Sequence, residues 1–409
     1  MMQRHNQVPL LVTVLLVLAH SRCLLAASAG EEAKPLRFWI DEFAYSRGET
    51  TLLRDNIQAS NGKAVLAGET REQKLFSPGG YFAADAWDVY WTTREYCTKA
   101  LQYMRPGQRA SCMPGLSTLT RKDRLIATLV ERFGDGAFDI TPQAYRLPQQ
   151  YWHWRVWIHN QPHAQQAQHA QHAPGPMWVL KDGEHRGTGV HVLPQAEAIA
   201  AALNRTARGF HKHTLVQQYV HNQSLVARRP FYLRVWALVT NVTPLRAYLF
   251  NGGVLVFGKP RSEEGSSGQP VDMKPEDLIV NLWTQDRHSS QPWDVDRYRA
   301  YLQETTGSPA AFDKVWGGVQ RALGFAFAAA APTLRADAAY YKAGPGATFE
   351  LVGVDFVVDA DYHPWLIEIN SIPSLARKVL EGDAGKGEAD PAAEKPAFDA
   401  QKEALVQSC

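Results

Sequence analysis

The chain has 409 residues, with 43 basic and 41 acidic side chains and a formal net charge of +2. That balance argues against bare nucleic acid or an anionic membrane surface as the main partner. Hydrophobic residues at 45% and charged residues at 21% are ordinary for a globular protein, four cysteines are too few for a disulfide-dense scaffold, and no run of 18 or more apolar residues offers a stable membrane anchor.

Residues 1–29 read as a signal peptide. Arg4 and His5 open it, Val8 to Ala19 is a short apolar run, and Ala27-Ser28-Ala29 fits a small-residue cleavage site. The expected location is the lumen of the secretory pathway or the exterior. That would give meaning to three glycosylation sequons, Asn204-Arg-Thr206, Asn222-Gln-Ser224 and Asn241-Val-Thr243. Removal of the leader takes Cys23 with it. Cys97 and Cys112 either pair or stay free, and pairing would leave Cys409 as the odd thiol.

Residues 30–115 mix short apolar runs with Gly and Pro turns and read as a small mixed N-terminal domain. The main region runs from 116 to 380. Its first helix is expected from Thr120 to Phe133, with Leu125, Ile126, Leu129, Val130 and Phe133 on one face. Residues 160–176 are a Gln/Ala/His-rich insertion. Its His163, His169 and His172 either hold a metal adventitiously or are solvated. Strands are expected at 177–181, 189–193, 214–220, 231–240 and 245–250, and helices at 197–203 and 311–331. Residues 349–359 and 364–370 read as an antiparallel hairpin. The tail, 381–409, is expected to be mobile up to a final helical stub. No internal repeat is visible.

The hairpin carries the sharpest chemical signal. Side chains alternate faces along a strand, so Glu368 and Asn370 point the same way. A turn centred near residues 361–362 sets Asp355 opposite Glu368. Like charges facing across a sheet repel. Two carboxylates and an amide oxygen are hard ligands that suit Mg²⁺ with nucleotide phosphates. Alternatively they form a solvated polar edge. Upstream, Lys181 precedes a loop containing Arg186, Gly187, Thr188 and Gly189. Glycines allow close backbone approach to phosphates, though by itself such a loop is also an ordinary turn. Arg234 interrupts an apolar strand and needs a partner there, either a ligand anion or an internal carboxylate. Lys122 sits at the positive N-terminal end of the first main helix, where a bound anion would offset it.

In order along the chain, Pro114-Gly115, Thr120-Arg121-Lys122-Asp123, Phe138 to Pro148, Trp178 to Val190, Leu215 to Leu249 and Phe349 to Leu375 resemble the tubulin–tyrosine-ligase-like family. The resemblance implies an α/β (α+β) chain with an ATP-grasp core beside the N-terminal mixed domain. It implies ATP and Mg²⁺ as cofactors. Lys122 and Lys181 would contact phosphates, with Arg186, Gly187 and Gly189 in the loop over them. Gln217, Gln218 and Tyr219 would line the adenine pocket. Arg234 would bind the acceptor carboxylate or acyl phosphate, and Asp355, Glu368 and Asn370 would hold the metal.

Three stretches depart from the family pattern. Pro230-Phe231-Tyr232-Leu233-Arg234 stands where Lys-Phe-Asp-Leu-Arg is usual, Val256 where Arg is usual, and Leu278-Ile279-Val280-Asn281 where His-Leu-Thr-Asn is usual. The implied activity is an ATP-dependent ligation of an amino acid to a peptide or small-molecule carboxylate through an acyl phosphate, with Arg234, Lys181 and Glu368 as the catalytic groups. The alternatives are a catalytically degenerate secreted binding protein, or a tubulin ligase or polyglutamylase if residues 1–29 are not a signal.

Overall fold

The computed structural model describes residues 34–41, 50–70, 87–92, 101–102, 104–161, 176–182, 189–260, 292–375 and 397–408. In chain order the strands are β1 (Leu36–Asp41), β2 (Ala64–Thr70), β3 (Val89–Thr92), β4 (Arg109–Ser111), β5 (Ala144–Arg146), β6 (Met177–Asp182), β7 (Val190–Pro194), β8 (His213–Gln218), β9 (Leu225–Val226), β10 (Arg229–Val242), β11 (Leu245–Phe257), β12 (Trp293–Asp294), β13 (Thr348–Val358) and β14 (Pro364–Ser371). The helices are α1 (Thr51–Gln58), α2 (Ser117–Thr120), α3 (Lys122–Phe133), α4 (Tyr151–Asn160), α5 (Gln195–Ala201), α6 (Val295–Thr306), α7 (Ala310–Tyr340) and α8 (Ala397–Ser408).

Two sheets organise these elements. The larger runs β12-β11-β10-β13-β4-β3-β1-β2, with β14 on β13 and β9 on β10. The smaller is antiparallel throughout, β5-β8-β6-β7. β10 and β13 are apolar along nearly their whole length because both faces of the large sheet are covered. On one face Leu233, Val235, Val239, Val352, Val354 and Phe356 pack against α7, whose alanines allow close approach. On the other, Trp236, Leu238, Val254, Val256 and Leu351 pack against residues of the N-terminal strands and α1. This is the mixed α/β architecture that the resemblance implies.

The N-terminal strands do not form a sheet of their own. β4 pairs in parallel with β13 at Thr348↔Ala110 and Phe349↔Ser111, so β1 to β4 extend the central sheet across residue 115. Such pairing spans more than two hundred residues and leaves no local sequence signal. The final helical stub expected in the tail is α8, and it is packed. Leu405 and Val406 of α8 are buried in the core that holds Phe38, Leu52 and Trp236, and the Gly253 N–H donates to Gln401 Oε1 at 3.2 Å. Burial of that apolar pair orders the helix, because short helices rarely persist unpacked in water. Residues 381–396 lie outside the described residues.

The helix expected from Thr120 begins at Lys122, and Leu125, Ile126 and Leu129 are its buried face. The preceding Pro114-Gly115 turn is held in two ways. The Met113 N–H donates to Glu350 Oε2 at 3.0 Å. Gly115 has φ +80°, and a Cβ there would meet Asp337 Oδ2 at 3.1 Å and the Thr333 carbonyl at 3.2 Å, so both conformation and space require glycine.

Candidate active site

The β13–β14 hairpin is closed by Asp359. Its Oδ1 accepts the Asp361 and His363 N–H groups at 3.0 and 2.9 Å, and its Oδ2 accepts Trp365 Nε1 at 3.0 Å. An Asp binding its own backbone two residues on is an Asx-type turn, which fixes the register of the strands it joins. That register puts Asp355 opposite Glu368 and Gly353 opposite Asn370. One residue, Ile367, is extra on β14 between the Phe356↔Leu366 and Asp355↔Glu368 pairs. Such a bulge re-aims the strand locally, and the Ile367 carbonyl accepts Lys181 Nζ at 3.3 Å.

A row of charge crosses three strands here. Arg234 on β10 is the neighbour of Asp355 on β13, which is the neighbour of Glu368 on β14. Arg234 Nε and Nη2 both donate to Asp355, the second bond at 2.7 Å. Asn370 Nδ2 lies 3.1 Å from Asp355 Oδ2 and 3.0 Å from Glu368 Oε1. Because side chains alternate along β10 and β13, this row lies on the face opposite α7. Tyr232 shares that face, with the Arg234 guanidinium carbon 6.0 Å from its ring centroid.

The electrostatics follow from burial and from cations brought in by other elements. Burial lowers the Lys181 ammonium to about 8, although Glu368 and Asp355 pull it back up. Burial raises the Asp355 carboxyl to about 6 against the pull of Arg234, with Glu368 adding to the rise. For Glu368 burial also acts upward, but Lys122, Lys181, the Asn370 hydrogen bond and Arg234 together bring it below the usual carboxylate value. Arg234 goes the other way: burial opposes its charge, and Asp355 more than restores it. Lys122 from α3 and Lys181 from the smaller sheet thus act on Glu368 together with the β10 arginine.

The structure brings together Lys122, Lys181, Arg234, Asp355, Glu368 and Asn370. Arg186 and Gly187 lie outside the described residues, as do residues 1–29, Asn281 and the three histidines of the 160–176 insertion. Gly189 is described, and a Cβ on it would come within 2.6 Å of Asp182 Cβ, so close packing inside the β6–β7 hairpin is what requires glycine there. Gln217 is buried and donates to Thr141 Oγ1 at 3.1 Å; Gln218 is exposed; the Tyr219 N–H donates to the Met177 carbonyl at 3.1 Å. For Arg234 the resemblance implies acceptor binding, but Asp355 occupies its Nε–Nη2 edge. The Thr141 hydroxyl and the Ile367 carbonyl are absent from the sequence reading. A bulge carbonyl has no sequence signature, and Thr141 meets Gln217 only through folding.

A family model, the tubulin-tyrosine ligase family, matches residues 101–380. Tubulin polyglutamylase TTLL5 of Homo sapiens is 26% identical over 305 residues, which cover 71% of this chain and 22% of that protein. Tubulin polyglutamylase TTLL6 of Homo sapiens is 22% identical over 324 residues, 75% of this chain and 33% of that protein. Tubulin polyglutamylase ttll-4 of Caenorhabditis elegans is 26% identical over 287 residues, 68% of this chain and 44% of that protein. The chain therefore spans less than half the length of these relatives. The match takes in the Pro-Gly turn, the smaller sheet and the carboxylate hairpin, and on that match the chain belongs to the tubulin-tyrosine ligase family.

Proposed function

We propose that the chain is an ATP- and Mg²⁺-dependent carboxylate–amine ligase that adds an amino acid to a peptide or protein carboxylate. The observation that carries this reading is the row Arg234–Asp355–Glu368 with Asn370 beside it and Lys181 reaching it from the second sheet. Two carboxylates converge there with the Asn370 amide beside them, its Nδ2 donating to both, and the facing carboxylates repel unless a cation joins them. The donor set fits Mg²⁺, and Asp355, Glu368 and Asn370 would hold it. When bound, such an ion neutralises charge on the transferring phosphoryl group.

The chain's own side chains do the rest. Lys181, fixed by the Ile367 carbonyl, presents positive charge where a phosphate must sit, and Lys122 adds to it from the N-terminal end of α3. Arg234 locks the orientation of Asp355, a positioning role that the two parallel bonds make rigid. An acceptor carboxylate oxygen takes the γ-phosphoryl group as ADP leaves. The amine then attacks the activated carbonyl carbon, expels phosphate and loses its proton. No protein nucleophile is required.

The names of the relatives point to glutamate as the amino acid and to a protein as acceptor. We further place the chain in an oxidising compartment. Cys112 is fully buried and disulfide-bonded, a state that persists mainly in secreted and lumenal proteins. The first 29 residues read as a leader in the same sense. The test is ADP release by the full chain with Mg-ATP, a panel of amino acids and carboxylate acceptors. Amide formation that requires both substrates supports the reading. ATP binding without turnover on any acceptor favours a binding protein instead.

A further inference from the structure

The smaller sheet carries a second cluster, on the face turned away from Lys181. Lys181 and Asp182 are successive residues of β6 and point to opposite faces. Asp182 pairs across to His213 on β8, and Leu180, two residues back on the same face, pairs with His191 on β7. The carboxylate of Asp182 therefore lies between two imidazoles. His213 Nδ1 is 2.5 Å from Asp182 Oδ1, and His191 Nε2 is 3.6 Å from Asp182 Oδ2. The rings stand edge to face with centroids 5.4 Å apart. One ligand atom from each residue falls within 4.8 Å of the others.

We infer that Asp182, His191 and His213 form a binding site for one divalent transition-metal ion of the Zn²⁺ class. His191 Nε2 is buried from solvent yet has no hydrogen-bond partner, and 3.6 Å is too long for a bond to the carboxylate. It is the separation expected of two ligands sharing a tetrahedral ion, since metal–ligand distances of about 2.1 Å place ligand atoms about 3.4 Å apart; His213 Nδ1 and Asp182 Oδ1, at 2.5 Å, are hydrogen-bonded, so an ion held through Asp182 Oδ2 would open that bond. Two imidazoles and one carboxylate are a borderline donor set that favours Zn²⁺ over Mg²⁺ or Ca²⁺, which prefer oxygen alone. The set differs in kind from Asp355, Glu368 and Asn370. Asp182 and His213 are almost fully buried, while the His191 side chain keeps 35% of its exposure, which gives the ion a way in and leaves a fourth position for water. Because the ligands come from three strands, the ion would tie β6, β7 and β8 together at the end of the sheet next to Lys181.

The test is calorimetric titration of the chelator-stripped full chain with Zn²⁺ in millimolar Mg²⁺, alongside Co²⁺ absorption spectra. Three proteins are compared: the parent, His191→Gln, and a triple variant with His163, His169 and His172 changed to Ala. The half-exposed position of His191 makes its substitution the least disruptive of the three ligands. The expected result is one Zn²⁺ per chain in the parent and the triple variant, at least about tenfold weaker binding in His191→Gln, and a visible Co²⁺ band lost with it. Zn²⁺ uptake that disappears in the triple variant but survives in His191→Gln would assign the metal to the insertion and overturn the inference, as would no uptake by the parent.

Discussion

Arg234 and Asp355 face each other on neighbouring strands and share two parallel N–H···O bonds, with side chains only 16% and 10% exposed. This pair separates two roles for the carboxylates. Asp355 is tied to the scaffold, whereas Glu368 draws its stabilisation from Lys122 and Lys181, which arrive from other elements. The substitutions at the two positions should therefore fail in different ways.

Asp355→Asn leaves a buried guanidinium without its counter-charge. Breaking a buried pair from one side costs about 3–5 kcal/mol, so the urea midpoint should fall sharply. Glu368→Gln removes a charge that both repels Asp355 and attracts two lysines, so the two effects offset and its urea midpoint should fall less than that of Asp355→Asn. Equal losses for the two variants would mean that the carboxylates are not divided in this way.

Glu350 supplies a pH dependence. Burial raises its carboxyl from the ordinary 4.5 to about 8, and the Met113 N–H offsets only part of this. The folded state then holds one proton more than the unfolded state between those values. Stability contributed by this group is present below about pH 4.5, falls as pH rises, and is gone above about pH 8. The slope is at most about 1.4 kcal/mol per pH unit. Glu350→Gln keeps an acceptor for Met113 and removes the slope. Its advantage over the parent in urea should grow from pH 5 to pH 8; a constant difference would contradict the assignment.

The C-terminal helix gives a packing test. Leu405 is 1% exposed in the core shared with Phe38, Leu52 and Trp236. Leu405→Ala should cost about 2–5 kcal/mol, read as a drop in thermal midpoint. A change below about 0.5 kcal/mol would indicate that α8 is not docked in solution.

The compartment can be checked on the sequons. Asn204 and Asn222 are exposed, whereas the amide of half-buried Asn241 donates to the Thr243 carbonyl at 2.9 Å and accepts from the Gly346 N–H at 3.3 Å. Protein from a secreting cell should show a glycosidase-sensitive mobility shift that is lost in the Asn204→Gln/Asn222→Gln double variant and kept in Asn241→Gln. Absence of any shift, with the chain in the cytosol, would rule out the lumenal placement.

How much of this could be read in advance depends on how local each signal is. The facing of Asp355 and Glu368 is legible because they and Asn370 interrupt two apolar strands, but a four-residue turn is expected from the sequence, whereas five residues, 359–363, join the strands and the extra Ile367 on β14 restores the pairing. The partner of Arg234 is not legible, since it lies 121 residues away and only sheet order brings it near. The cluster of the smaller sheet has no local signal for the same reason: its three residues sit on three strands, whereas the histidines of 160–176 crowd one stretch of sequence. The docking of α8 and the merging of β1 to β4 into the central sheet are likewise tertiary facts.

The proposed role of Asp355, Glu368 and Asn370 is to hold a metal for nucleotide binding. The most direct measurement is titration of the full chain with ATP, with and without Mg²⁺, in the parent and in Glu368→Gln. ATP binding should depend on Mg²⁺ in the parent and weaken by at least about tenfold in Glu368→Gln, with the fold intact. Mg²⁺-dependent ATP binding of equal affinity in both proteins would contradict it.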